Sequence, residues 1–375
     1  MNNAEFVIIL ISIITGTAYS ILIILFTLGW LKLKKTTVNK LQSTFISIVV
    51  PIRNEEGNIK ELIKNLQSLH YPEDLREFIF INDHSTDNTL EAIKKYERKS
   101  GIRVLDLPSG SNGKKAAIDH GIKQAHGSLI TTLDADCTLE KNWLKAISRA
   151  YEADRYKMIA GPVAIHRPRG WLASFQALEL LSLVASGAGA IGIGKPIMCN
   201  GANLSYEKDA YREVEGFRGN DHLAGGDDIF MMEKINKMYP SGSIGFISDP
   251  DAIVYTTAAR NIKEFLNQRF RWVAKSPAYS NPFLIVSAVV VLLFNLCLLI
   301  SLSYAAFSET VAITFGSIFL LKVIIDFPIL WSVSGFAGQR HLIVWYIPFQ
   351  LLYIIFISLT GILGNLLSFT WKDRK

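Results

Sequence analysis

Three observations predict an α/β domain with a mostly parallel sheet, set between membrane-spanning helices. Short apolar runs alternate with amphipathic stretches between residues 45 and 134, the pattern of repeated βαβ units. Acidic residues stand directly after these runs. Long apolar segments occupy both ends of the chain.

Residues 4–31 form an apolar run of spanning length whose one acid, Glu5, sits at its edge. It has no basic n-region and outlasts a typical signal h-region, so it reads as an uncleaved anchor. Lys32, Lys34, Lys35 and Lys40 follow, which predicts an external amino end and a cytoplasmic central domain. FISIVVPI (45–52) suits a buried strand, and Ile59, Leu62, Ile63, Leu66 and Leu69 then recur at helical spacing. FIFI (78–81) is a second strand running into Asn82 and Asp83. The helix after it, DNTLEAIKKYE, has Asp87 as its expected N-cap. IRVLDL (102–107), a helix from Lys114 to about Ala125, and SLITTLD (128–134) continue the alternation.

Residues 197–217 read as a strand, a Gly-rich turn and a short helix. Ile229, Met232, Ile235 and Met238 mark another helix, and IGFIS and AIVYTT two more strands. Residues 261–274 form an amphipathic helix containing Gln-Arg-Phe-Arg-Trp, expected at the membrane interface. Apolar stretches at 282–304, 310–332 and 344–368 each exceed the ~20 residues that cross a bilayer core. The expected segments are an anchor and basic linker (1–41), a catalytic domain (42–260), the interfacial helix (261–281) and a C-terminal membrane region (282–375). Three spans after a cytoplasmic domain would leave the basic end WKDRK (371–375) outside. One segment within 310–368 is therefore expected to be re-entrant or interfacial.

The net charge of +6 is what juxtamembrane lysines and arginines require, and no basic stripe interleaved with aromatics points to nucleic acid. Three cysteines without CxxC spacing argue against a disulfide framework or zinc site and suit a reducing cytoplasm. His84, His120, His126, His166 and His222 show no ligand spacing and read as surface or packing residues. Cys137 and Cys199 read as small fillers, and Lys115 as part of a solvated face. Lys322 and Asp326, four apart in an apolar segment, are expected to pair or to face a channel or head group.

Ligands of parallel sheets bind beyond the carboxyl ends of the strands. Arg53-Asn54-Glu55, Asp83 and Asp134 follow three successive strands and so converge on one rim, where acidic clusters need a cation or donors between them. Asp134 and Asp136 offer oxygen ligands suited to Mg²⁺ or Mn²⁺, ions that complete their shell with water or phosphate oxygens. Such a pair alone is a weak signal. Asp227 and Asp228 could simply start a helix, whose dipole favours carboxylates there. Gln268, Arg271 and Trp272 share one helix face, although basic-aromatic helices are common in membrane proteins.

The order of Asp-Ala-Asp (134–136), Gly-Gly-Asp-Asp (225–228) and Gln-Arg-Phe-Arg-Trp (268–272) decides between these readings. Over residues 44–275 the chain resembles the membrane-integrated family 2 glycosyltransferases, which include cellulose, chitin and hyaluronan synthases and ceramide glucosyltransferases. The resemblance implies a GT-A (nucleotide-diphospho-sugar transferase) Rossmann-like domain plus transmembrane helices. It also implies a metal-dependent, inverting hexosyl transfer from a nucleotide sugar, with UDP as the nucleotide. Asp228 would be the general base, and Asp227 stands where the family more often has Glu. Asp136 would touch the metal and Asp134 both metal and donor. Asp83 would contact uracil or ribose, with Asn82 in place of the family's first Asp of a pair. Glu55 and Lys114 would also serve the donor, as would Gln268 and Arg271, the latter through its planar fork. Asn200, Gly201, Asp227 and Trp272 would line the acceptor side. The implied acceptor is a lipid, lipid-linked sugar or polysaccharide, with possible partner subunits for export from a bacterial inner membrane. The rival reading is a catalytically inactive nucleotide-sugar sensor or scaffold, which intact motif carboxylates speak against.

Overall fold

The computed structural model describes residues 2–34, 42–97, 101–221, 223 and 225–364. Lys35, Lys40, His222 and the WKDRK terminus lie outside the described residues.

In chain order the elements are α1 (Asn3–Lys32), β1 (Ile46–Ile52), α2 (Glu56–Gln67), β2 (Arg76–Asn82), α3 (Thr89–Lys94), β3 (Ile102–Asp106), α4 (Lys114–Gln124) and β4 (Leu129–Thr132). Then come β5 (Thr138–Leu139), α5 (Trp143–Asp154), β6 (Met158–Ala160), β7 (Val163–Ile165), α6 (Gly170–Gly192), β8 (Leu204–Glu207), α7 (Lys208–Glu213) and α8 (Asp227–Met238). The chain continues through β9 (Ile244–Phe246), β10 (Val254–Thr256), α9 (Ile262–Val273), α10 (Pro282–Tyr304), α11 (Glu309–Phe336) and α12 (Tyr346–Leu363). These fall into two units.

One unit, Lys32–His166 with Met198–Thr257, carries the sheets. Its seven-stranded sheet has the order β3-β2-β1-β4-β8-β6-β9, and a smaller one has the order β5-β10-β7. β1, β2, β3 and β4 are mutually parallel, as the βαβ alternation predicts. β8 runs antiparallel to both β4 and β6. The apolar run of β1 is buried almost throughout, as a continuous apolar strand in a parallel sheet requires. Ile59, Leu62, Ile63 and Leu66 of α2 are buried, confirming the helical spacing read in the sequence. The expected cap at Asp87 is displaced by one residue. Asn88 occupies the N-cap of α3, while the Asp87 carboxylate accepts the Thr89 N–H at 3.0 Å and so still serves the first turn.

The other unit comprises Met1–Leu31, Arg167–Ile197 and Ala258–Lys375, and its described residues are mainly helical. Among the described residues five helices are long and apolar enough to cross a membrane: α1, α6, α10, α11 and the segment Arg340–Leu363 containing α12. Large apolar side chains such as Ile13, Ile14, Val286, Ile313, Ile324 and Ile347 are exposed on them, which water would penalise and lipid would not. α6 lies within the Arg167–Ile197 part of this unit, a stretch the sequence does not mark as a span. Gln176, Glu179 and a Gly/Ala-rich second half dilute its hydropathy. Lys322 and Asp326 pair with each other at 2.5 Å, and Tyr19 and Gln350 donate to Asp326 at 2.8 and 3.3 Å. The group is buried within the helices, which settles the expectation in favour of pairing.

Candidate active site

β1, β2 and β4 end at one rim of the large sheet. After β1, Asn54 takes a left-handed conformation (φ 53°), and its side-chain oxygen accepts the Thr86 N–H at 2.8 Å, knitting the turns after β1 and β2 together. Glu55 follows, and its carboxylate accepts from Asn58 at 2.7 Å. After β2, Asp83 is buried. One carboxylate oxygen accepts the Gly113 N–H at 3.0 Å, and the Arg53 guanidinium lies 3.9 Å from the other. Gly113 (φ 93°) immediately precedes α4, so Asp83 holds the start of that helix and with it Lys114.

Lys114 is the hub. Its ammonium lies 2.7 Å from Asp134 at the end of β4 and 3.3 Å from Asp227 at the start of α8. Burial would lower its pKa, but Asp134, Asp227 and Asp228 outweigh burial and hold it well above the usual lysine range. The lysine is thus a fixed positive charge.

The third side of the rim comes from β8. An antiparallel strand delivers its beginning where its parallel neighbours deliver their ends, and Thr132 pairs with Leu204. The turn Asn200–Asn203 therefore reaches the same rim. Asn200 accepts the Ala202 N–H at 3.0 Å, and the Thr132 hydroxyl donates to the Gly201 carbonyl at 2.9 Å. The Gly201 N–H donates to Asp228 at 3.2 Å, and the other Asp228 oxygen accepts the Ile229 N–H at 2.8 Å. A Cβ on Gly201 would sit 2.7 Å from an Asp227 oxygen and 3.4 Å from the Lys114 ammonium, so any larger residue would have to displace the Asp227 carboxylate. Asn203 backs the turn from beneath: its amide donates to Pro162 and Ala252 carbonyls at 2.8 Å and accepts from the Trp143 indole at 3.1 Å.

The two aspartates of the Gly-Gly-Asp-Asp segment are unequal. Asp227 is buried at 8% exposure and engaged by Lys114. Asp228 is half-buried and accessible. Asp136 also reaches solvent, though protein atoms crowd it as they do a group lining a cleft. Its carboxyl is pushed up by desolvation first, then by Asp134 and Glu55, while the Thr256 hydroxyl at 3.2 Å works the other way. Asp134, Asp136 and Glu55 therefore share one electrostatic neighbourhood. No cluster of three or more metal-ligating side chains occurs among the described residues. Asp134 and Asp136 nevertheless fit a hard divalent cation, because Mg²⁺-type ions take one or two carboxylates and complete their shell with phosphate and water.

Lys115 departs from the expected solvated face. It is buried, donates to the Asn220 and Leu223 carbonyls at 2.6 and 3.1 Å, and stands 4.6 Å over the Phe230 ring. Neighbouring lysines on α4 thus hold the rim and the segment leading to Asp227. Cys137 and Cys199 have thiols pushed well up, burial being the main cause, which suits packing residues.

In the helical unit, α9 carries the Gln-Arg-Phe-Arg-Trp segment, with Gln268, Arg271 and Trp272 half-buried. The deeply buried residue there is Arg269, paired with Glu179 of α6. The sequence places Arg269 within the motif without a role of its own and gives no sign of Glu179. An arginine between two motif positions offered only a neutral spacing, and Glu179 lies ninety residues away.

The mixed sheet and its carboxylate-lined rim define an α/β domain of the GT-A type. The family is narrower. Residues 47–199 match Glycosyl transferase family 2, and residues 129–371 match Glycosyl transferase family group 2, so the chain belongs to the family 2 glycosyltransferases. It is similar to Glycosyltransferase AglE of Haloferax volcanii, 24% identical over 229 residues that cover 60% of this chain and 71% of that protein. It is also similar to poly-beta-1,6-N-acetyl-D-glucosamine synthase of Staphylococcus epidermidis, 26% identical over 234 residues. That match covers 60% of this chain and 53% of the synthase, so the chain spans about half of that relative. The fold is shared with the mannosyltransferase PcManGT of Pyrobaculum calidifontis, solved with GDP-Man and Mn²⁺ (TM-score 0.61, 17% identity, 95% of this chain and 99% of that one).

Proposed function

We propose that the chain is a membrane-bound, inverting glycosyltransferase that moves a sugar from a nucleotide sugar, with UDP the first candidate, to a lipid, lipid-linked or polysaccharide acceptor. One observation carries this reading. Lys114 joins Asp134 to Asp227 across 2.7 and 3.3 Å and leaves Asp228, the next residue, accessible. Donor-side and acceptor-side carboxylates thereby meet around one ammonium.

Asp228 takes the proton of the acceptor hydroxyl as that oxygen bonds to the anomeric carbon. The bond from this carbon to the diphosphate oxygen breaks on the opposite face, and the nucleoside diphosphate departs with the electron pair. Inversion follows from that single displacement. Asp134 and Asp136 would hold Mg²⁺ or Mn²⁺, which supplies charge stabilisation to the departing diphosphate. Lys114 adds a fixed positive charge without proton bookkeeping. Asp83 and Glu55 serve the nucleoside end, Gln268 and Arg271 the diphosphate, and Asn200, Gly201, Asp227 and Trp272 the acceptor. A cytoplasmic catalytic domain in a bacterial inner membrane, with partner subunits for export, completes the proposal. The polysaccharide synthase among the relatives supports the acceptor class. The GDP-Man complex of the fold neighbour is the reason to test GDP-sugars beside UDP-sugars.

The test is transfer from radiolabelled UDP- and GDP-sugars in membranes containing the chain, beside Asp228→Asn. Label should enter organic solvent for a glycolipid product, or alcohol-insoluble material for a polymer, and should disappear in the variant while nucleotide binding persists. Transfer that survives Asp228→Asn, or none from any donor, would overturn the reading.

A further inference from the structure

We propose that Glu179 on α6 is a positioning residue for the substrate-facing side of α9, acting through Arg269. The proposal rests on the reading of Gln268, Arg271 and Trp272 as substrate-binding residues.

The first observation is topological. α6 has the length and composition of a membrane span. Yet β4 and β6 precede it, β8 follows it, and β8 pairs with both: Ala160 with Leu204, Ile159 with Ser205, Thr132 with Leu204. A single crossing would put these partners on opposite sides of a bilayer. α6 therefore leaves the sheet-bearing unit and returns to it without crossing, and its apolar character must serve packing.

The second observation is what it packs. Gly189 meets the Phe26 backbone of α1 so closely that a Cβ would stand 2.2 Å from the Phe26 carbonyl oxygen. Phe175 stacks edge-on against Phe265 of α9 and against Phe349 and Phe356 of α12, with centroids 5.3 to 6.0 Å apart. Two polar side chains of α6, one turn apart, then grip α9. Gln176 exchanges two hydrogen bonds with the backbone of Ala259, just ahead of the helix, at 2.8 and 3.1 Å. Glu179 meets the Arg269 guanidinium in a two-pronged pair, Nε to Oε1 at 2.8 Å and NH2 to Oε2. Glu179 and Arg269 are 5% and 6% exposed.

Arg269 passes this restraint to its neighbours. It donates to the Gln268 side-chain oxygen at 2.5 Å, and its guanidinium stands 4.1 Å from the Trp272 ring and 4.7 Å from Phe265. Arg271, two residues on, is displaced about 200° around the helix and so lies on the opposite side from the buried Arg269. Glu179 thus sets the rotation of α9, the amide plane of Gln268 and the ring of Trp272 together, while touching no substrate itself.

The experiment compares Glu179→Gln and Glu179→Asp in the full chain, alongside Arg271→Lys and Trp272→Ala, by initial rates at varied donor and acceptor. Glu179→Gln keeps the shape and loses the charge; Glu179→Asp keeps the charge and shortens the reach. Expected are a tenfold or greater fall in kcat with Glu179→Gln, read well below a thermal midpoint that the unpaired buried Arg269 lowers, and substantial recovery of both rate and midpoint with Glu179→Asp. A silent Glu179→Gln beside impaired Arg271→Lys and Trp272→Ala would overturn the positioning role. Silence of Arg271→Lys and Trp272→Ala would instead remove the substrate-facing reading of α9. Should Glu179→Gln not fold, the neutral pair Glu179→Gln/Arg269→Gln carries the test, and wild-type rates from it would overturn the proposal.

Discussion

Adding one methyl group at Gly201 tests whether the rim is as tight as its distances imply. The new Cβ would stand 2.7 Å from an Asp227 carboxylate oxygen, roughly an ångström inside a comfortable non-bonded separation. Asp227 is buried and bonded to Lys114 at 3.3 Å, so it has little room to retreat without lengthening that ion pair. The Gly201 N–H also donates to Asp228, so displacing the turn disturbs the candidate base as well. Overpacking of this kind costs about 1–3 kcal/mol. If the strain falls on the transition state, kcat/KM drops by about 5- to 150-fold, at 1.36 kcal/mol per factor of ten. The assay is initial-rate transfer by Gly201→Ala, Asp227→Asn and the double variant. The clash and the ion pair share Asp227, so the two effects should fall well short of additive. Wild-type kinetics in Gly201→Ala, or strictly additive losses, would refute the picture of a closed Gly201–Asp227–Lys114 contact.

Lys115→Met should leave the Asn220 and Leu223 carbonyls without their donor and cost about 1–3 kcal/mol, read as faster proteolytic cleavage between residues 214 and 226 with nucleotide binding retained. In the helical unit, Asp326→Ala strands the buried Lys322 and should lower detergent-solubilised stability by about 3–5 kcal/mol. Replacing both as Lys322→Met/Asp326→Leu should recover much of that loss in the same melting assay. Glu77 predicts an acid limit. Burial alone would raise its pKa, but bonds from Ser47, His126 and Arg103 win and bring it down to about 2. A depressed carboxylate stabilises the fold above its ordinary value of 4.5, and that contribution is lost as pH falls toward 2. Glu77→Gln should therefore cost about 2 kcal/mol near neutrality, after allowing for solvent screening, and nothing near pH 2. Acid-unfolding curves of the two proteins should converge there.

The part of the rim built by β1, β2 and β4 was legible because parallel strands announce it. An apolar run followed at once by Glu55, Asp83 or Asp134 needs only the rule that such strands end together. The part supplied by residues 200–203 was less so. Its turn lies before β8, and only the antiparallel pairing with β4, which local periodicity does not encode, brings Asn200 and Gly201 to the same edge. Lys115 was misread because a lysine beside another lysine on an amphipathic helix looks solvated; its carbonyl partners lie a hundred residues away. α6 escaped notice for a related reason. Gln176 and Glu179 break its apolar run, and the partners that satisfy them, Ala259 and Arg269, are remote in sequence.

The position of β8 has a further consequence for how the protein is made. Leu204 joins Thr132 across 72 residues, and β8 separates β4 from β6 in the finished sheet. During synthesis β4 and β6 emerge first and must wait, with open hydrogen-bonding edges, while the apolar α6 leaves the ribosome. Exposed edges of this kind invite pairing with other chains. Truncation before residue 204 would therefore yield an aggregation-prone half-sheet instead of a smaller enzyme. Were α6 to cross a bilayer, β8 could not reach the gap between β4 and β6.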